Sequence, residues 1–109
     1  MVATHSFANA PELDIILVPG GRGTRSLEQA NDTSVEDFVR SRYNSLKYLL
    51  SVCTGAVSLA KAGLLEGLRA TTNKRDWKWV TLHGENVTWV PTARWVDQCQ
   101  TFWLHTGLR

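Results

Sequence analysis

The sequence predicts an α/β domain built on a mostly parallel sheet, and three features carry that expectation. Leu13-Asp14-Ile15-Ile16-Leu17-Val18 is a nearly continuous apolar run that stops at Pro19-Gly20-Gly21. Val35, Phe38, Val39, Tyr43 and Leu46 then recur at helical spacing. Tyr48-Leu49-Leu50-Ser51-Val52 is a second apolar run, ending at Cys53. Continuous rather than alternating hydrophobicity marks strands covered on both faces, as in parallel sheets. Strand, helix and strand in that order predict a parallel pair joined by a right-handed crossover.

The remaining elements follow in chain order. Arg22 through Asp32 reads as a polar loop. Thr33 with Glu36, or Ser34 with Asp37, offers a capping box that opens a helix over residues 34–43. After Cys53-Thr54-Gly55-Ala56 a helix with the small residues Gly55, Ala56, Ala60 and Ala62 ends at Gly63, a C′ stop. Those small residues let the helix lie close to the sheet. Beyond Gly63 the pattern weakens to a short strand over Arg69–Thr72, a helix over Lys74–Leu82 and β pieces at Val87–Val90, Arg94–Val96 and Thr101–Leu104. There are no repeats and no low-complexity segment.

Composition bounds the function. The 109 residues allow one domain, with its core over residues 12–97. A hydrophobic share of 43% and a charged share of 20% argue against disorder and coiled coil. The longest aliphatic run, Ile15-Ile16-Leu17-Val18, falls far short of the ~20 residues that span a bilayer. The first residues lack a basic stretch followed by an apolar one, so the expected location is cytoplasmic. Twelve Lys and Arg stand against ten Asp and Glu, too small an excess for nucleic-acid binding without a recognisable module. Cys53 and Cys99 form neither a disulfide framework nor a zinc spacing. All five tryptophans, Trp77, Trp79, Trp89, Trp95 and Trp103, lie in the last third and read as core or interface packing.

Cys53 is the candidate with chemistry. At a strand-to-helix junction its side chain points beyond the carboxyl ends of the strands, where open α/β sheets place ligands. The start of the next helix favours thiolate, and the Thr54 amide is placed to bind a developing anion. Gly20 and Gly21 end the preceding strand on the same side and offer a second backbone donor. The competing readings are plain: the cysteine as a small buried hydrophobe and the glycine pair as an ordinary turn. The pairing of both at the ends of adjacent strands favours chemistry.

Gly21-Arg22-Gly23-Thr24-Arg25-Ser26 approaches a dinucleotide fingerprint. That fingerprint needs a helix opening inside the glycines and an acidic residue ending the next strand. The helix signal instead starts at Thr33 or Ser34, and the next strand ends in Cys53, so a dinucleotide site is not expected.

Several segments carry a family likeness. Asp14 through Arg25, Tyr48 through Ala56, Ala62-Gly63-Leu64-Leu65-Glu66-Gly67, Arg69-Ala70-Thr71-Thr72-Asn73-Lys74 and Trp89 through Val96 together resemble the PfpI-type superfamily with its class I glutamine-amidotransferase-like fold. The likeness spans roughly residues 4–97 and is closest to the fungal isonitrile-hydratase-like branch. The resemblance implies a flavodoxin-like three-layer sandwich with a mostly parallel sheet and a cysteine nucleophile elbow. It implies a lyase: Cys53 attacks the terminal carbon of R–N≡C, water adds, and an N-substituted formamide leaves, with no metal or organic cofactor. Thr54 matches the assisting threonine, and Gly20 and Gly21 match backbone donors. Arg22, Thr72, Asn73 and His105 fall where a pocket would be lined; His105 lies where the family's turn nears the active site.

Departures temper the likeness. No residue here matches the acidic group that the family carries near the start of its domain. Asn73 stands where peptidase-like relatives have histidine. The chain reads as the middle of such a domain, incomplete at both ends. A small domain with uncovered strands is expected to be weakly stable or to self-associate, as a homodimer for example. The alternative function is a catalytically inactive interaction module, or one in which Cys53 senses oxidants or carbonyl compounds. The small-molecule substrate of the first reading is an isonitrile; neither nucleic acid nor membrane is an expected partner. His5 and His83 read as surface residues, and Cys99 as structural.

Overall fold

The computed structural model describes residues 2–98 and 102–105. Strands β1 (Ile15–Val18) and β2 (Tyr48–Val52) pair in parallel, with Ile16 opposite Leu49 and Val18 opposite Ser51. β6 (Phe102–His105) lies parallel on the other side of β2, and β5 (Trp95–Gln98) runs antiparallel to β6. The sheet order is therefore β1-β2-β6-β5. A second, two-stranded parallel sheet joins β3 (Arg69–Ala70) to β4 (Thr88–Trp89). The helices are α1 (Arg22–Gln29), α2 (Ser34–Arg42), α3 (Gly55–Lys61) and α4 (Trp77–Val80).

The core gathers on one face of the sheet. Ile16, Val18 and Leu49 pack with Val39 of α2, Leu59 and Ala60 of α3, and Leu65. Every residue of α3 from Gly55 to Ala60 is buried. Small side chains make this possible: a Cβ on Gly55 would strike the carbonyl oxygen of Val18, so the helix rests on the end of β1. Gly63 stops α3 in the left-handed region at φ 78°. Its amide bonds the Ala60 carbonyl at 3.0 Å and that of Leu64 bonds Leu59 at 3.2 Å, the Schellman pairing that satisfies carbonyls at a helix end.

The opposite face corrects the expectation of two-sided cover. Side chains alternate in a strand, and here Ile15 and Leu17 remain 53% and 55% exposed beside Tyr48 at 49%. Among the described residues helices cover one face of β1 alone. No helix among them is long and apolar enough to cross a membrane.

Three local expectations also change. The segment read as a polar loop contains α1. It carries none of the usual start signals, having no acidic residue in its first turn and no side-chain cap at Gly21, and it buries no residue. No capping box opens α2: Asp32 Oδ1 accepts the Ser34 amide at 2.9 Å, and the Thr33 hydroxyl donates to Asp37 at 3.0 Å. Hydrogen bonds from the Ser34 side chain and amide hold the Asp32 carboxyl below its ordinary range. The helix expected over Lys74–Leu82 shrinks to α4, because Asn73 and Asp76 are drawn into a polar network before the first turn.

Candidate functional site

Cys53 occupies the two-residue link between β2 and α3 with φ 58°, and it is half-buried. A side chain with a Cβ in that left-handed region costs ~1–3 kcal/mol and persists only where its surroundings impose it. Thr72, which is fully buried, donates its hydroxyl to the Cys53 carbonyl at 2.8 Å. The Ala56 amide adds a longer bond to the same oxygen at 3.4 Å. Behind Thr72 the amide of Asn73 donates to Asp76 Oδ2 at 2.7 Å, and Arg25 reaches Asp76 Oδ1 at 3.3 Å. The Asn73 hydrogen bond, with help from the Arg25 guanidinium, holds the Asp76 carboxyl below its ordinary range.

The glycine turn and the elbow are one piece of structure. Thr54 is buried, and its Oγ1 accepts the Gly21 amide at 2.9 Å with the Thr24 hydroxyl 3.3 Å away. A Cβ on Gly20 would collide with the Thr54 amide and hydroxyl, so only glycine permits this approach. Gly21 itself sits at φ 130°. The Gly21 amide is thus committed to Thr54. This takes Gly21 out of the backbone donors expected from the sequence for an anion beside Cys53 and leaves Gly20 and Thr54 as the expected ones.

The other sequence candidates sort differently. Arg22 is exposed and opens α1. Thr72 and Asn73 are buried supports beneath the elbow rather than open lining. Asn73, with its amide engaged on Asp76, offers no proton-accepting nitrogen. His105 stands in strand register with Val52, one residue before Cys53. Cys99 lies outside the described residues. His5 is exposed, with its Nδ1 3.1 Å from the Thr4 hydroxyl. Among the described residues no three His, Cys, Asp or Glu side chains gather to hold a metal ion.

Sequence reasoning missed the polar docking of α1. His83, expected at the surface, has a side chain only 10% exposed. Its Nε2 lies 3.0 Å from both Glu28 oxygens and its Nδ1 lies 3.1 Å from the Val80 carbonyl. Its ring meets Trp79 edge-on, and Arg25 lies 4.2 Å over the Trp79 ring. Trp77 in turn meets Trp89 edge-on at 6.5 Å. No motif signals contacts between residues 55 apart, such as Glu28 and His83. The helix also opens inside the glycine segment, against the reasoning used to set aside a dinucleotide site. The second argument holds, since β2 leads into Cys53 and not into an acidic residue.

Comparison with known proteins identifies the family and the fold. Residues 1–100 match the sequence profile described as the DJ-1/PfpI family. A 70-residue stretch is 47% identical to "Isonitrile hydratase" of Pseudomonas putida, covering 64% of this chain and 30% of that protein. The chain thus spans less than a third of this curated relative. The fold matches the crystal structure of a ThiJ/PfpI family protein from Pseudomonas syringae with a TM-score of 0.73 at 30% identity, over 99% of this chain and 43% of that one. It also matches a putative protease I from Bacteroides thetaiotaomicron with a TM-score of 0.66 over 86% of this chain and 53% of that one; at 11% identity this shows the fold alone. The architecture is flavodoxin-like α/β with parallel strands. The isonitrile-hydratase likeness runs to a bacterial protein, which replaces the fungal branch expected from the sequence.

Proposed function

The chain belongs to the DJ-1/PfpI family, and from that premise we propose that it carries the nucleophile of an isonitrile-hydratase-like lyase. The observation that supports this most is the left-handed Cys53 elbow locked against Gly20 and Gly21. Any 70-residue stretch of a 109-residue chain includes residues 40–70, so the similarity to the Pseudomonas putida protein takes in the elbow. In the proposed reaction Cys53 Sγ bonds the terminal carbon of R–N≡C, and the thiol proton passes to that carbon, giving a thioimidate. Water adds to the same carbon, the C–S bond breaks, and the proton returns to sulfur as R–NH–CHO leaves. The Thr54 amide supports negative charge developing in these steps, and the Thr54 hydroxyl, buried against Gly21, fixes the distance between turn and elbow. The family's acidic residue has no match in this sequence.

Incubation with a simple alkyl isonitrile tests this reading by the appearance of the N-substituted formamide. Cys53→Ala is expected to reduce turnover to the uncatalysed background. Equal turnover by Cys53→Ala would remove the proposed nucleophile.

A second reading, an inactive interaction or redox-sensing module, draws on the uncovered face of β1 and β2. Ile15, Leu17 and Tyr48 give this face an apolar character that favours self-association, for example as a homodimer. The expected result is a melting temperature that rises with protein concentration. A sharply cooperative, concentration-independent melt of a monomer would contradict it. Parent protein inactive on isonitriles, with Cys53 oxidised by mild peroxide well ahead of Cys99, would favour the sensing role.

A further inference from the structure

We propose that Thr72 is a positioning residue for Cys53, its hydroxyl holding the left-handed backbone that presents the sulfur; this rests on the reading of Cys53 as the nucleophile. The Cys53 carbonyl sits in a link too short for regular helix or strand bonding. Of its two donors among the described residues, the Ala56 amide is 3.4 Å away and the Thr72 hydroxyl 2.8 Å. The shorter bond comes from a residue that is fully buried and separated from the elbow by 19 positions. It is therefore a tertiary clamp rather than part of the turn's own bonding.

The clamp has a fixed base. A hydroxyl has one proton to give, and two acceptors face that of Thr72: the Cys53 carbonyl at 2.8 Å and Asn73 Oδ1 at 3.2 Å. The shorter contact, to Cys53, takes the proton, while the neighbouring Asn73 is held in place by its amide on Asp76. Asp76 is tied in turn to Arg25 of α1. Thr71, the preceding residue, is likewise buried, with its hydroxyl 2.9 Å from the Val90 carbonyl. Thr72 consequently has little room to follow if the elbow moves. Without its hydroxyl, Cys53 keeps one long bond against a backbone strain of ~1–3 kcal/mol. Relaxation to negative φ would then redirect Sγ.

Carbamidomethylation by iodoacetamide, followed at the level of individual peptides, reads the presentation of the sulfur directly. The Sγ–C bond forms as iodide leaves and the thiol proton passes to buffer, so no isonitrile chemistry is needed. Thr72→Val keeps the shape and removes the donor; loss of one buried hydrogen bond predicts Cys53 labelling about tenfold slower. Thr72→Ser restores the donor and is expected to label within about twofold of the parent, on the same hydrogen-bond argument. Cys99 in the same samples should label at an unchanged rate. Should Thr72→Val not fold, Thr72→Ala against Thr72→Ser gives the same comparison. Parent-like labelling of the donor-less variant, or equal slowing of Thr72→Ser, overturns the proposal. Failure of the hydration reading would show separately, as formamide formation that survives Cys53→Ala.

Discussion

Gly55→Ala is expected to cost about 3 kcal/mol of stability, at the upper end of what an added methyl costs a packed interior. The Cβ would meet the Val18 carbonyl oxygen, with the Val18 and Pro19 carbonyl carbons 3.0 and 3.1 Å away. These are backbone atoms at the end of β1, unable to yield as the tip of a flexible side chain can. Either α3 lifts from the sheet or β1 shifts against β2, and each movement displaces the elbow between them. Urea denaturation should show a lower midpoint with little change in slope. Gly23→Ala is the internal contrast. Gly23 lies within α1 with nothing within 4 Å of an added Cβ, so alanine there should stabilise by roughly 0.5–1 kcal/mol. If Gly55→Ala behaved like Gly23→Ala, the close approach of α3 to β1 would be wrong.

Leu49→Ala should have a comparable effect for the opposite reason. Leu49 is fully buried in the central strand, with β1 on one side and β6 on the other, and belongs to the cluster with Ile16, Val39 and Leu59. Truncation leaves a cavity bounded by two strands and two helices that cannot all collapse, and such sites lose about 3–4 kcal/mol. Against a typical domain stability of ~5–15 kcal/mol, that brings a domain at the lower end of the range within about 1–2 kcal/mol of unfolding. Leu17→Ala, on the exposed face of β1, should change stability by no more than about 0.5 kcal/mol in the monomer. Similar losses at both positions would mean that both faces of β1 are covered.

The parts legible in the sequence were those whose side chains meet hydrocarbon. β1 and β2 announce themselves as apolar runs containing Ile16, Val18 and Leu49, α2 by the helical spacing of Val35, Phe38 and Val39, and α3 by its small residues. Gly63 was legible because a positive φ at a helix end selects glycine. Cys53 was legible by its place between two such elements. α1 was not. Its Arg25 and Glu28 dock through Asp76, Trp79 and His83, and polar partners impose no period on the sequence. The roles of Thr72 and Asn73 were half legible: Ala-Thr-Thr-Asn marked a place near the site, but the direction of their hydrogen bonds depends on how β3 ends beneath the elbow. The one-sided burial of β1 was hidden for another reason, since Ile15 and Leu17 are as apolar as the buried Ile16 and Val18.

The manner in which α1 is fastened has a consequence for the whole site. A segment secured by guanidinium, carboxylate, imidazole and hydroxyl groups answers to dissolved ions, whereas the seam between α3 and the strands does not. Ionic strength thus acts as a dial on the Arg25–Asp76 fastening, next to the Asn73 that follows Thr72, while leaving the hydrocarbon scaffold unaltered.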